Sequence, residues 1–185
     1  MIKRIIRPIY YQILRPYLPY KFAVLNGVPV PQLSKLFDLV DHIPDYKYEN
    51  IKALRRYVQT GDSVGIIGGG YGVTSVIAAQ RAGHEGEITI FEASAEQTET
   101  IRETLVLNEV SEFCEVRHSI VGPLNDSMGY VGDPETIEPS DLSEYDVLEI
   151  DCEGAEIEIL SDLEIHPRMI IVETHPRYGS PTSEV

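Results

Sequence analysis

The sequence predicts an α/β domain: a mostly parallel sheet with helices on both of its faces. Three observations carry this. Short apolar runs suited to strands alternate with segments whose apolar residues recur at helical spacing. A glycine-rich loop, Gly68-x-Gly70-x-Gly72, directly follows the first of these runs. Glu92 closes the next run, ITIFE. Strands separated by helices imply right-handed crossovers and ligands at the carboxyl ends of the strands.

In chain order, helical spacing covers residues 33–40 and 48–59, with Glu49 placed to favour a helix start. A strand over 63–67 leads through the glycine loop to a helix over 73–81 that ends at Gly83. A strand over 87–91, a helix over 95–108 and a strand over 113–118 come next, and two further strands lie within YDVLEI and RMIIVETH. Residues 123–144 are rich in prolines, glycines and acids, and their length beside the expected rim suggests an acceptor lid. The organisation expected is a basic N-terminal extension and helix over 1–45 followed by a catalytic-type domain over 46–185.

Composition narrows the class. Of 185 residues, 43% are hydrophobic, enough for a real core, and no long apolar run suggests a membrane span. Thirty acids against fifteen bases give a net charge of −15, which argues against a nucleic-acid partner and resembles the surfaces of proteins from salt-rich cytoplasm. The first 37 residues hold six bases and no acid. There Lys3, Arg4, Arg7 and Arg15 alternate with Ile, Leu and Tyr, while Pro8, Pro16 and Pro19 interrupt any long helix. Such a segment suits either an arm folded over the acidic domain or contact with an anionic membrane surface, and its interruptions do not fit a signal peptide. Cys114 and Cys152 are too few for a disulfide framework and read as buried thiols in a reducing cytoplasm.

The glycine loop and Glu92 are the parts of an adenosine-cofactor site. Glycines at 68, 69, 70 and 72 let backbone approach a ligand closely, a helix N-terminus supplies N–H donors, and a carboxylate at the neighbouring strand tip can accept ribose hydroxyls. The G-x-G-x-G register followed by Val73 departs from the G-x-G-x-x-G of dinucleotide sites, so a nicotinamide-dependent oxidoreductase is the weaker reading. It resembles the nucleotide-binding half of class I S-adenosylmethionine methyltransferases, a Rossmann-like architecture. Asp151, Glu153, Gly154 and Glu156 in YDVLEIDCEGAEIEIL match the D-x-E-G-x-E signature of the FkbM-type methyltransferases. With Val121-Gly122, the resemblance covers roughly residues 46–178.

That resemblance implies S-adenosylmethionine as cofactor, held by Gly68, Gly69, Gly70, Gly72, Glu92, Ser119 and Asp151, and O-methylation of a sugar, glycolipid or secondary-metabolite hydroxyl. A hydroxyl acceptor needs alignment and a base, for which Asp151, His175 and Glu153 are the candidates. Alternatively Asp151 caps the helix near Gly154, Glu153 and Glu156 favour that helix end, and His175 is a solvated loop residue. No metal is expected. Tyr48 and Glu49 resemble the start of the family's helix beneath the cofactor's methionine end, although a plain helix start explains them equally.

Two departures bear on activity. Ile66 stands where related loops carry an acid, and the sequence stops after the fifth expected strand, without the family's closing hairpin. An open sheet edge would then invite a partner chain or a second copy. A non-catalytic binding protein of the same fold is the reading that these departures favour.

Overall fold

A computed structural model describes residue 17 and residues 21–32, 42–122, 133–152, 154–178 and 181–183. The basic segment over 1–16, the helix expected over 33–40, part of the acceptor loop (123–132) and Glu153 lie outside the described residues.

Among the described residues the main sheet has six strands, all parallel: β4 (Ser63–Ile67), β5 (Glu87–Glu92), β6 (Cys114–Val121), β7 (Glu135–Ile137), β8 (Val147–Ile150) and β9 (Met169–Val172). Their order is β7-β6-β5-β4-β8-β9. The chain thus winds outward from β4, then returns to its other side at β8, which makes the β4–β8 junction the switch point where such sheets open a crevice. Among the described residues β9 pairs only with β8.

Among the described residues four α-helices flank the sheet: α1 (Tyr48–Tyr57), α2 (Val73–Ala82), α3 (Ala95–Leu107) and α4 (Glu156–Ser161). Ile51 and Leu54 of α1, Val76 of α2 and Ile101 of α3 share one buried cluster with Val64, Ile66, Ile88, Ile90 and Val147. Ile159 of α4 packs with Leu148, Ile150 and Phe91 in a second cluster, built from other strand residues. Alternating strand side chains therefore feed two cores, one for each face. Local signals set the helix limits: Ser94 accepts from the Gln97 N–H at 3.4 Å to start α3, and α2 lies between Gly72 and Gly83.

The sequence reading placed no strand before residue 63, and here the structure corrects it. β1 (Lys21–Leu25) and β2 (Val28–Gln32) form an antiparallel hairpin, and β3 (His42–Ile43) pairs parallel to β1. The turn is Asn26-Gly27, both with positive φ (48° and 85°), the conformation that a two-residue hairpin needs. Ala23, Leu25, Val28 and Val30 are buried in the same core as α2 and α3, and Asn108 at the end of α3 donates to the Pro29 carbonyl at 2.9 Å. In residues 133–144, the described part of the expected acceptor loop, β7 pairs with Ser119–Val121 and a single 3₁₀ turn covers Pro139–Asp141.

At the opposite end from the rim, Arg168 ties the start of β9 to the turn before β4. It donates to both carboxylate oxygens of Asp62, at 2.6 and 3.1 Å, and to the Tyr57 carbonyl at 3.0 Å.

Leu54 is fully buried where α1 meets the sheet. Leu54→Ala is expected to cost about 2–5 kcal/mol, read as a lower urea midpoint with an unchanged slope.

Candidate functional site

The rim is built at the switch point. The Asp151 N–H donates to the Ile67 carbonyl at 2.8 Å and the Gly68 N–H to the Phe91 carbonyl at 2.9 Å, so the tips of β8, β4 and β5 are joined by backbone. A Cβ on Gly68 would stand 1.9 Å from the Asp151 carbonyl oxygen, and Gly68 has φ +90°. Only glycine fits there. At Gly70 the nearest atoms to such a Cβ are the Tyr46 hydroxyl at 3.7 Å and Lys47 Nζ at 4.0 Å, so this part of the loop packs loosely beside those two side chains.

Glu92 sits at the tip of β5, half-buried. Its Oε2 accepts the Gly70 N–H at 3.1 Å and its Oε1 the Ser94 N–H at 2.9 Å. Burial raises its pKa, against the pull of those N–H groups and of Lys47.

Asp151 emerges from β8 into a chain of charged groups. Its Oδ2 pairs with Lys47 Nζ and its Oδ1 lies 3.4 Å from His175 Nε2. His175 Nδ1 is 2.7 Å from Oε1 of Glu156, which is fully buried and whose Oε2 accepts the Gly154 N–H at 2.9 Å. Gly154 has φ +115°, and a Cβ there would lie 2.6 Å from the Tyr178 carbonyl, so the signature glycine lets the His175–Tyr178 segment pack against the start of α4. Asp151 caps no helix, since the cap position of α4 is Ala155, whereas Glu156 does stand in the first turn of α4; the His175 side chain is 19% exposed and is held at Nδ1.

The sequence reading missed several neighbours. Tyr48 and Glu49, which it singled out, point outward, with Glu49 paired to Lys52 at 3.3 Å. The site is met instead by Tyr46, Lys47 and Asn50. Asn50 donates to Glu149 Oε1 at 3.1 Å and to Glu173 Oε2 at 3.3 Å. Glu149 is fully buried, and its pKa is raised by that burial. It is also the registered partner of Ile66, on the same face of the sheet. The acid absent at Ile66 thus has a counterpart one strand over. Burial would depress the Lys47 pKa, but the charges of Glu149 and Asp151 reverse this and hold it above the ordinary value.

Ser119 lies apart from these contacts. β6 runs on past it to Val121, and its hydroxyl is buried with no hydrogen-bond partner among the described residues. Asp151, Glu173 and His175 bring one ligand-type atom each within 4.8 Å of one another. The Lys47 ammonium already pairs with Asp151. Cys114 is not activated: burial pushes its thiol up to about 12. Burial also raises the pKa of Cys152.

No protein-family model matches the sequence, and no curated protein matches it. Solved structures do resemble the fold. A Plasmodium falciparum protein described as a protein-L-isoaspartate O-methyltransferase, solved with S-adenosyl-L-homocysteine, superposes with a TM-score of 0.52 and 16% identity, over 76% of this chain and 65% of that one. A Pyrococcus horikoshii protein described as a transferase gives 0.51 and 12%, over 77% and 47%. The fold is that of the Rossmann-like class I methyltransferases. A SAM-dependent O-methyltransferase from Thermotoga maritima is also similar, at 0.48 and 17%, over 63% and 38%. The chain spans between 38% and 65% of the length of these three structures. In this methyltransferase fold the glycine loop, Glu92 and Asp151 occupy the crevice at the switch point, and no helix among the described residues is long and apolar enough to cross a membrane.

Two predictions follow from the geometry. Gly68→Ala is expected to destabilise the fold by at least about 3 kcal/mol, because the Asp151 backbone cannot retreat without breaking the β4–β8 ladder; chemical denaturation measures it. Glu149 holds its proton to higher pH folded than unfolded, so the stability it contributes is complete below its ordinary pKa of 4.5 and is lost as pH rises through the raised folded value. Glu149→Gln should therefore gain on the wild type as pH is raised from about 4 to about 7, seen as a widening difference in urea midpoint.

Proposed function

We propose that the chain binds S-adenosylmethionine and transfers its methyl group to a hydroxyl oxygen. The observation that carries this reading is Glu92, held by the backbone N–H groups of Gly70 and Ser94 at a strand tip beside the glycine loop. The residues present fit the cofactor. Glu92 would take the ribose hydroxyls, and the loop from Gly68 to Gly72 would lie along the nucleoside without clashing side chains. The bound cofactor supplies a methyl group already activated on a sulfonium.

Little covalent work is then left to the protein. His175 is the proposed base: Glu156 fixes its Nδ1 side, which leaves Nε2 to take the acceptor's hydroxyl proton as the oxygen bonds to the methyl carbon and the sulfur–methyl bond breaks. Asp151, 3.4 Å from that nitrogen, stabilises the imidazolium formed. Glu153 and Ser119 remain in the proposal on sequence grounds. The acceptor proposed is a small molecule, a hydroxyl of a sugar, glycolipid or secondary metabolite, in keeping with the FkbM-type signature at Asp151–Glu156. Contact of the basic N-terminus with an anionic membrane would bring a lipid-linked acceptor to the same rim.

The second reading, a binding protein without catalysis, draws on Ile66, which is fully buried in β4 where an acid was expected. Calorimetric titration with S-adenosylhomocysteine, and separately with NAD, tests the cofactor. Saturable binding of the former alone is expected, and Glu92→Ala should weaken it about tenfold or more. Binding of NAD alone would replace this reading with a dehydrogenase, and unchanged affinity in the variant would remove Glu92 from the ribose.

A further inference from the structure

We propose that the outer face of α1 and the hairpin turn at Asn26 form a second site, a pocket for a phosphate monoester. It shares no residue with the glycine loop, Glu92 or the Asp151–His175 chain, and it does not depend on the cofactor reading.

Charge is the first argument. The chain carries thirty acids against fifteen bases, so three bases facing one hollow run against its general sign. Lys52, Arg55 and Arg56 line a cavity of about 280 Å³ together with Tyr48, Ile51 and Asn26, and no acid is among its lining residues. Tyr48, Lys52, Arg55 and Arg56 recur at the spacing that puts side chains on one face of a helix. Arg55 and Arg56 stand in the last turn of α1, where the helix dipole favours cations in any case. That accounts for neither Lys52, near the middle of the helix, nor the hollow itself.

The lining is also held in place. Asn26 sits at the hairpin turn with φ 48°; its N–H donates to the Ile43 carbonyl at 2.8 Å and its side-chain amide to the Tyr46 carbonyl at 3.1 Å. Arg55 Nη2 reaches the Asn26 carbonyl at 3.4 Å, which links the two walls. Ile51, buried in the core, gives the hollow an apolar floor. Two rings steady the cations: Lys52 Nζ lies 5.7 Å from the centre of the Tyr48 ring, and the Arg56 guanidinium carbon 5.2 Å from that of Tyr57.

These cations are available to a ligand. Among the described residues Arg55 and Arg56 form no ion pair with a carboxylate. Lys52 pairs with Glu49 at 3.3 Å, but the two side chains are 60% and 77% exposed, and such a pair contributes little. Size and donor chemistry then select the ligand. Pockets for drug-sized molecules run to about 300–1,000 Å³, so 280 Å³ suits a compact group, a phosphate with the few carbons that bear it. Two guanidinium forks offer paired N–H donors matched to phosphate oxygens, and the ammonium adds a point charge. A monocarboxylate would leave one fork unused.

Glycerol 3-phosphate and phosphatidylcholine vesicles containing phosphatidic acid present the same phosphate monoester, free in one case and at a membrane surface in the other. The full chain is titrated with the first by calorimetry and co-sedimented with the second, at low ionic strength. The wild type should bind at least one of them, and Arg55→Gln/Arg56→Gln should weaken that binding at least about tenfold. Lys52→Gln should weaken it in the same direction. Loss confined to glycerol 3-phosphate identifies a soluble ester as the ligand, and loss confined to the vesicles identifies a lipid headgroup. Arg102→Gln/Arg117→Gln removes the same charge from cations already paired with Glu99 and Glu115 and should leave binding within about twofold. All of these variants change exposed side chains, so the fold is retained. Binding of neither probe by the wild type, undiminished binding by Arg55→Gln/Arg56→Gln, or an equal loss in Arg102→Gln/Arg117→Gln overturns the pocket.

Discussion

The close passage of the Gly68 backbone over the Asp151 carbonyl is the constraint on which the rest of this structure depends. It locks the carboxyl ends of β4 and β8 together where the chain reverses its direction of winding. Everything chemically interesting hangs from one or other side of that contact: the loop and Glu92 from β4 and β5, and Asp151, Glu156 and His175 from the strands beyond. A side chain at Gly68 would part the two halves, and the crevice would lose its floor.

Much of this was legible in the sequence because it is written locally. A strand, a loop of alternating glycines, a helix and an acid at the next strand tip lie within about thirty residues, and each is specified by its own period or turn chemistry. The signature around Asp151 is similarly compact. The hairpin at Asn26-Gly27 was also local, and alternating apolar residues flank it; the basic, proline-rich stretch just before it drew the reading toward an arm instead. Lys47, Asn50 and Glu149 were not legible in that way. Asn50 and Glu149 meet across 99 residues, and Lys47 and Asp151 across 104, so their pairing exists only once α1 has docked against β8. No pattern around Lys47 announces it, since its importance lies in a backbone angle and a distant partner.

Ile66 and Glu149 show how a departure from a motif is better judged in three dimensions. Along the chain, an expected acid is missing. Across the ladder, a buried acid faces the same helices from the adjacent strand. Its cost in burial is moderated by Asn50 and by the charge of Lys47, which also places a large share of the site's electrostatics on a residue outside the sequence signatures. Buried groups of this kind seldom stabilise a fold in net terms, so their presence is better explained by what they hold in place.

The hairpin at the N-terminal side carries a consequence of another sort. Its inward residues complete the core over α2 and α3, and Asn108 latches its second strand through a single carbonyl. The helix that begins at the glycine loop is therefore wedged between the sheet and a clasp contributed by much earlier sequence. An isolated two-stranded hairpin is marginal in water, so this clasp depends on α2 and α3, made much later in the chain, for the burial of its inward residues.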